Sequence, residues 1–205
     1  MIMNTMILPN NCTDLIKAMR NCYQTSNLDM LQHGIHVNKT YHILRNIITN
    51  KITIPTGWRI PEWCWDSLLL NGQMDMSLIS TYMIFHDCGK PYVKQIDKDH
   101  KIHYPDHASM SSEIWMHCNE DNDLNKEIST LMKMDMAIYL LKSSDIPEFA
   151  SRKQALTLLL VGLAEVHANA EMFGGFESTS FKIKIKHISK KGKQIIQYIK
   201  EKTND

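Results

Sequence analysis

Apolar and polar positions alternate along this chain with a helical period almost throughout. Apolar residues recur three and four positions apart in successive stretches, separated by short polar breaks. Asn11 or Thr13 can cap a first helix running to about Tyr23. A second helix starts after Ser26-Asn27, with Leu28, Leu31, Ile35, Tyr41, Leu44 and Ile48 at its apolar positions. Pro55-Thr56-Gly57 ends that region, and Pro61-Glu62-Trp63 opens a short helix closed by Asn71-Gly72. Met76 to Phe85 is apolar enough for a central buried helix. Tyr92 to His103 breaks the pattern, and Asp97-Lys98-Asp99 is turn-like, so a loop or ragged hairpin is predicted. Asp106 can cap a helix to about His117. Leu124 to Leu141 is helical and ends at Ser143-Ser144-Asp145. Pro147 starts a long helix to about Met172, stopped by Gly174-Gly175. Phe181 to Ile188 alternates apolar and basic residues, the period of a half-exposed strand, and Gln194 to Glu201 reads as a last helix. The predicted fold is mostly α, a helical bundle with a minor β element near the C-terminus. Residues 1–178 form its main domain and residues 179–205 a basic strand–helix tail.

Composition changes this picture in three places. With 205 residues, 43% of them apolar, the chain can bury a core without disulfides or structural metal. Net charge is only +1, but Lys182 to Lys202 holds eight lysines and one acid, Glu201. Nucleic-acid phosphates are a candidate partner for that tail, with Lys182, Lys184 and Lys186 on one face of the predicted strand. The five cysteines include no C-x-x-C pair, which argues against a disulfide framework or thiolate zinc site and for a reducing, cytoplasmic compartment. Met1 to Asn11 lacks the basic start and long apolar core of a secretory signal. The longest apolar run, Ala155 to Ala164, is far short of the roughly 20 residues a bilayer requires, so no membrane partner is expected. A homo-oligomer stays open.

The most distinctive chemistry lies in Phe85-His86-Asp87-Cys88-Gly89-Lys90-Pro91. An imidazole and a carboxylate side by side are good ligands for a divalent ion, and a nearby lysine can meet a phosphate. Further ligands can come from His33 and His36, three apart on the second helix, and from Asp106, His107, Asp135, Asp145, Glu165 and His167. Glu165 and Asp135 sit in apolar surroundings, where a carboxylate is costly unless paired or coordinated. Trp58, Trp63 and Trp65 cluster within eight residues and suit either core packing or stacking on a base.

Leu31-Gln32-His33-Gly34-Ile35-His36-Val37, His86-Asp87-Cys88-Gly89-Lys90-Pro91 and His103-Tyr104-Pro105-Asp106-His107-Ala108 together resemble the HD superfamily of metal-dependent phosphohydrolases. The resemblance is to the HD domain attached to bacterial tRNA nucleotidyltransferases, and it runs from about residue 28 to residue 175. It implies an HD-like bundle in which His33, His86, Asp87 and a distant acid hold one ion. His36 is the rival for the first position. The distant acid is normally an aspartate after alanine; here Ala164-Glu165 takes that place, with Asp145 the alternative. His107 and Asp135 map to a second metal position. The implied cofactor is a divalent transition ion (Mn, Fe, Co, Ni or Zn). The implied activity is hydrolysis of a phosphate ester of a nucleotide or nucleic-acid end, by a nucleotidase, phosphatase or 2′,3′-cyclic phosphodiesterase. Asp87, Lys90 and His107 would be the catalytic residues and Lys90 would also bind substrate. A deoxynucleoside triphosphate triphosphohydrolase and a non-catalytic nucleotide- or nucleic-acid-binding module are the alternatives.

Overall fold

The Asn11 side chain accepts the Asp14 backbone N–H at 3.0 Å and so starts α1 (Cys12–Arg20), which buries Leu15 and Met19. The computed structural model describes residues 8–204; the first seven residues of the Met1–Asn11 stretch, and Asp205 of the basic tail, lie outside it. Strands β1 (Tyr23–Thr25) and β2 (Leu28–Asp29) form a small antiparallel hairpin turning at Ser26-Asn27. Helix α2 (Met30–Ile48) follows, with the Asp29 carboxylate accepting the Gln32 N–H at 2.8 Å. Asn50, in a left-handed conformation (φ 56°), ends it. A 3-10 turn (Glu62–Trp65) leads into α3 (Ser67–Asn71), capped by Asp66, and then α4 (Met76–Phe85) and α5 (Lys90–Val93). Strands β3 (Gln95–Ile96) and β4 (Ile102–His103) pair antiparallel, the ragged hairpin expected there. The rest is helical: α6 (His107–Cys118), α7 (Asp123–Lys133), α8 (Ala137–Leu140), α9 (Ile146–Ala150), α10 (Ala155–Ala168) and α11 (Thr179–Asn204). The fold is mostly α.

The chain divides into two compact units. The first comprises residues up to Ile35 together with Ser80–Asp135. In it α6 and α7 pack along each other, and α5 lies against α1 and α6. Leu15, Met19, Met30, Met83, Ile114, Ile128 and Leu131 are buried there. The second comprises His36–Ile79 together with residues from Met136 on. Its α10 is buried at every position from Ala155 to Ala164, which is why its sequence is apolar all round. Helix α11 packs on α9, α10 and the 3-10 turn, where Gly192 has no room for a Cβ against the Trp63 indole.

Several expectations are corrected. The segment Phe181 to Ile188 is not a strand, and residues 179–204 of the predicted strand–helix tail form one continuous helix. The run Ile-Lys-Ile-Lys fits either period locally. The buried set Phe181, Ile185, Ile188, Gly192, Ile195 and Ile196 has the helical one, with Ile183 left 48% exposed. The β elements lie near residues 23–29 and 95–103, not near the C-terminus. Lys184 therefore does not share a face with Lys182 and Lys186; its ammonium lies over the Phe173 ring, 4.7 Å from the centroid. The predicted helix from Pro147 to Met172 breaks between α9 and α10, and that from Leu124 to Leu141 breaks at Met134–Met136. Asp106 stands at the start of α6 in a left-handed conformation and makes no side-chain cap.

Candidate metal centre

His86 and Asp87 leave the end of α4 in a turn rather than continuing the helix. The His86 Nδ1–H donates to the Met83 carbonyl at 2.7 Å, because a carbonyl can only accept. That turns Nε2 toward the interior, the orientation a metal-binding imidazole needs. His86 Nε2 lies 3.3 Å from Asp87 Oδ2, and His33 Nε2, from α2, lies 3.6 Å from the same oxygen. His107 Nε2 lies 3.6 Å from Asp87 Oδ1. Its Nδ1–H is fixed in the same way, on the Tyr104 carbonyl at 3.0 Å. His33, His86 and Asp87 are 0–2% exposed. All of these residues belong to the first unit.

Two glycines allow this convergence. At Gly34 a Cβ would collide with the backbone of Ile84, so α2 can bring His33 to the end of α4 only without a side chain there. At Gly89 a Cβ would collide with the backbone of α6 at Ser111 and lie 2.7 Å from the His107 carbonyl oxygen. The Gly89 N–H also donates to Ser111 Oγ at 2.9 Å. Its φ is −80°, so the glycine serves close approach rather than a left-handed turn.

With their Nδ1–H groups committed to backbone carbonyls, neutral His86 and His107 would turn lone pairs toward the buried carboxylate of Asp87, an arrangement that needs positive charge nearby, whether from the Lys90 ammonium, a ring proton or an ion. Ligands about 2.0–2.1 Å from one ion stand roughly 2.8–3.4 Å apart in octahedral to tetrahedral shells. The His86–Asp87 spacing falls within that range and the His33–Asp87 spacing just beyond it. Two imidazoles and a carboxylate are a donor set that suits a divalent transition ion, and the residues fit one. Burial alone would raise the Asp87 carboxyl. Charge on His86 and Lys90, with His33 behind them, outweighs burial and holds it well below the usual carboxylate range.

Lys90 is not a loose cation. Its ammonium donates to Asp87 Oδ2 at 2.7 Å and to Gln24 Oε1 at 3.1 Å, and lies 5.4 Å from the centre of the Tyr104 ring. Tyr104 in turn donates its hydroxyl to the Tyr23 carbonyl at 3.0 Å, tying the β1–β2 hairpin to the same group. The sequence alone does not single out Gln24 or Tyr104. Tyr104 lies inside the His103–His107 string, but nothing periodic marks either residue.

The other candidates are placed as follows. Asp135 is buried and accepts the Tyr82 hydroxyl at 2.5 Å; the Tyr82 ring meets the His86 ring edge-on, with centroids 6.4 Å apart. His36 is exposed, which favours His33 over its rival. In the second unit, Glu165 is half-buried on α10 and accepts the Tyr139 hydroxyl at 2.6 Å. Asp145 is exposed and serves its turn, accepting from Ser144 Oγ at 2.7 Å. His167 packs against Trp58, with ring centroids 4.6 Å apart. Its Nδ1–H donates to the Leu163 carbonyl at 2.9 Å, its Nε2 accepts the Arg59 N–H, and burial pushes its pKa down, so it is a neutral packing residue. The chain matches no protein-family model, no curated protein and no solved structure.

Proposed function

We propose that this protein is a metal-dependent phosphohydrolase of the HD type, acting on a phosphate ester of a nucleotide or nucleic-acid end. The observation that carries the proposal is the set of His33, His86 and His107 Nε2 atoms, all 3.3–3.6 Å from the carboxylate of Asp87. His33, His86 and Asp87 would hold the ion. Glu165, the distant acid implied by the resemblance, is the further ligand we propose on sequence grounds. When bound, a manganese, iron, cobalt, nickel or zinc ion would acidify a water molecule and polarise a phosphoryl oxygen.

The chain's own residues supply the rest. Lys90 keeps Asp87 ionised and fixes its rotamer. His107, with a side chain 16% exposed, is the most accessible imidazole of the group, and its Nδ1–H is already committed to Tyr104. Its Nε2 is therefore the group that would meet a phosphate oxygen or hand a proton to the leaving group. Tyr82, held by Asp135, braces His86; were a second ion bound, Asp135 and the same His107 Nε2 would hold it, in place of the acid–base role. In this reading the protein works in a reducing, cytoplasmic setting. Among the described residues, no helix is long and apolar enough to cross a membrane.

A second reading is favoured by one contact. The Lys90 ammonium already gives Asp87 a counter-charge, which a non-catalytic nucleotide-binding module would need in place of an ion. Elemental analysis of purified protein, followed by a screen of nucleotides and of RNA with 2′,3′-cyclic ends, separates the readings. Near-stoichiometric metal and phosphate release, both lost in His86→Ala and Asp87→Ala while the helical circular dichroism persists, is the expected result. Metal-free protein that stays inert after loading with manganese, cobalt and zinc would sink the hydrolase. Release of tripolyphosphate, in place of single phosphates, would mark the deoxynucleoside triphosphate triphosphohydrolase.

A further inference from the structure

Of the three tryptophans between residues 58 and 65, the fold buries Trp63 against Gly192 and stacks Trp58 on His167, but leaves Trp65 47% exposed. Trp65 lines two neighbouring grooves. One is shared with Lys51, Ile52 and Ile54 after the end of α2, the other with Asp66, Lys200 and Thr203. A half-exposed indole, with Lys51 lining the groove on one side and the Asp66–Lys200 ion pair the groove on the other, is a platform on which a planar base can stack.

Helix α11 carries a second feature that meets the first at Lys200. At about 100° per residue, Lys182, Lys186, Lys190, Lys193 and Lys200 fall within an arc of roughly 80°. All five are exposed. Lys182 is engaged by Glu177 at 2.8 Å and Lys200 by Asp66, while Lys186, Lys190 and Lys193 present their ammonium groups to solvent. These three occupy successive turns over roughly 10 Å of helix axis. The polar Gln197 continues the same arc, so the stripe offers charge without an apolar face to insert into a lipid surface.

We propose that Trp65 and the α11 lysine stripe form a binding surface for single-stranded nucleic acid. A base stacks on the Trp65 indole, and successive phosphates of the same strand run along Lys193, Lys190 and Lys186. The surface lies wholly within the second unit and stands apart from the hydrolase reading, so either can fall without the other.

The test is fluorescence anisotropy of a labelled, mixed-sequence single-stranded 12-mer RNA, titrated with the full chain in EDTA so that hydrolysis plays no part. Intact folding of each variant is checked by circular dichroism melting. Neutralising three phosphates gives a slope of about −2 in log K against log salt. Lys186→Glu/Lys190→Glu/Lys193→Glu should flatten that slope. Trp65→Ala should weaken binding about 10-fold and Trp65→Phe far less, since stacking needs only an aromatic face. No binding at low salt, or Trp65→Ala binding like the parent, overturns the proposal. So does equal affinity for a duplex of the same sequence, or preference for phosphatidylserine vesicles.

Discussion

Gly34 of α2 and Ile84 of α4 are in backbone contact: a Cβ on residue 34 would lie inside the van der Waals envelope of the Ile84 carbonyl. The histidine preceding that glycine and the histidine two residues beyond Ile84 are the pair whose rings sit 5.3 Å apart, centroid to centroid. Close approach of the two backbones and convergence of the two imidazoles are one event. Gly34→Ala should cost about 1–3 kcal/mol, the usual penalty for overpacking, because backbone cannot swing aside as a side chain can. It should also lower bound metal by moving His33. Urea denaturation alongside metal content measures both, and an alanine variant with parental values in each would show that this contact does not set the site.

Lys90 separates two roles for a lysine in this string. A phosphate-binding lysine could be replaced with loss of turnover alone. A lysine locked on a buried carboxylate cannot, because its removal strands the charge of Asp87. Lys90→Met should therefore destabilise the protein by about 3–5 kcal/mol. Added manganese or zinc should restore more of the melting temperature than it adds to the parent. Thermal melts with and without metal decide this, and loss of turnover at unchanged stability would return Lys90 to the phosphate.

Ile183 and Ile185 report whether α11 is helix or strand. In a strand the two share a face and would tolerate lysine equally. In the helix Ile185 is 7% exposed and Ile183 48%. Ile185→Lys should cost at least about 2 kcal/mol and Ile183→Lys stay within about 0.5 kcal/mol, as judged by chemical denaturation.

Asp66 gives a pH signature to the second unit. Burial tends to raise its carboxyl, but hydrogen bonds from the Lys200 ammonium and the Leu68 N–H outweigh it, so its pKa is lowered on folding. A carboxyl depressed by folding stabilises fully above its unfolded pKa of about 3.9, and that contribution is lost as pH falls through the lower folded value. The parent should thus lose stability more steeply below about pH 4 than Lys200→Met does. The difference should shrink in high salt because the lysine is half exposed. Parallel melts from pH 5 down to pH 3 test this, and identical slopes would remove the Lys200–Asp66 pair from the account.

Local signals were legible where one residue decides them. Asn11 caps α1, Asn71-Gly72 closes α3, and Asp97-Lys98-Asp99 turns the β3–β4 hairpin, each through chemistry within a few residues. The breaks within the predicted 124–141 and 147–172 helices were not legible. No proline or glycine marks Met134–Met136 or Ser151–Gln154, and tertiary packing chose those ends. The α11 register was ambiguous for a related reason. Alternating isoleucine and lysine satisfies two periods at once, and only the neighbouring helices α9 and α10 decide which isoleucines are buried.

By itself, the sequence determined that this chain is mostly helical and which side chains could hold an ion, since periodicity and donor chemistry are carried by the residues themselves. It marked His33, His86, Asp87 and His107 without saying that one carboxylate would gather three imidazoles. Tertiary structure alone decided that gathering, the capture of Lys90 by Gln24 and Asp87, and the exposure of Trp65 beside a lysine stripe. Each depends on how closely separate segments approach, and that distance is set by packing between residues far apart in the chain.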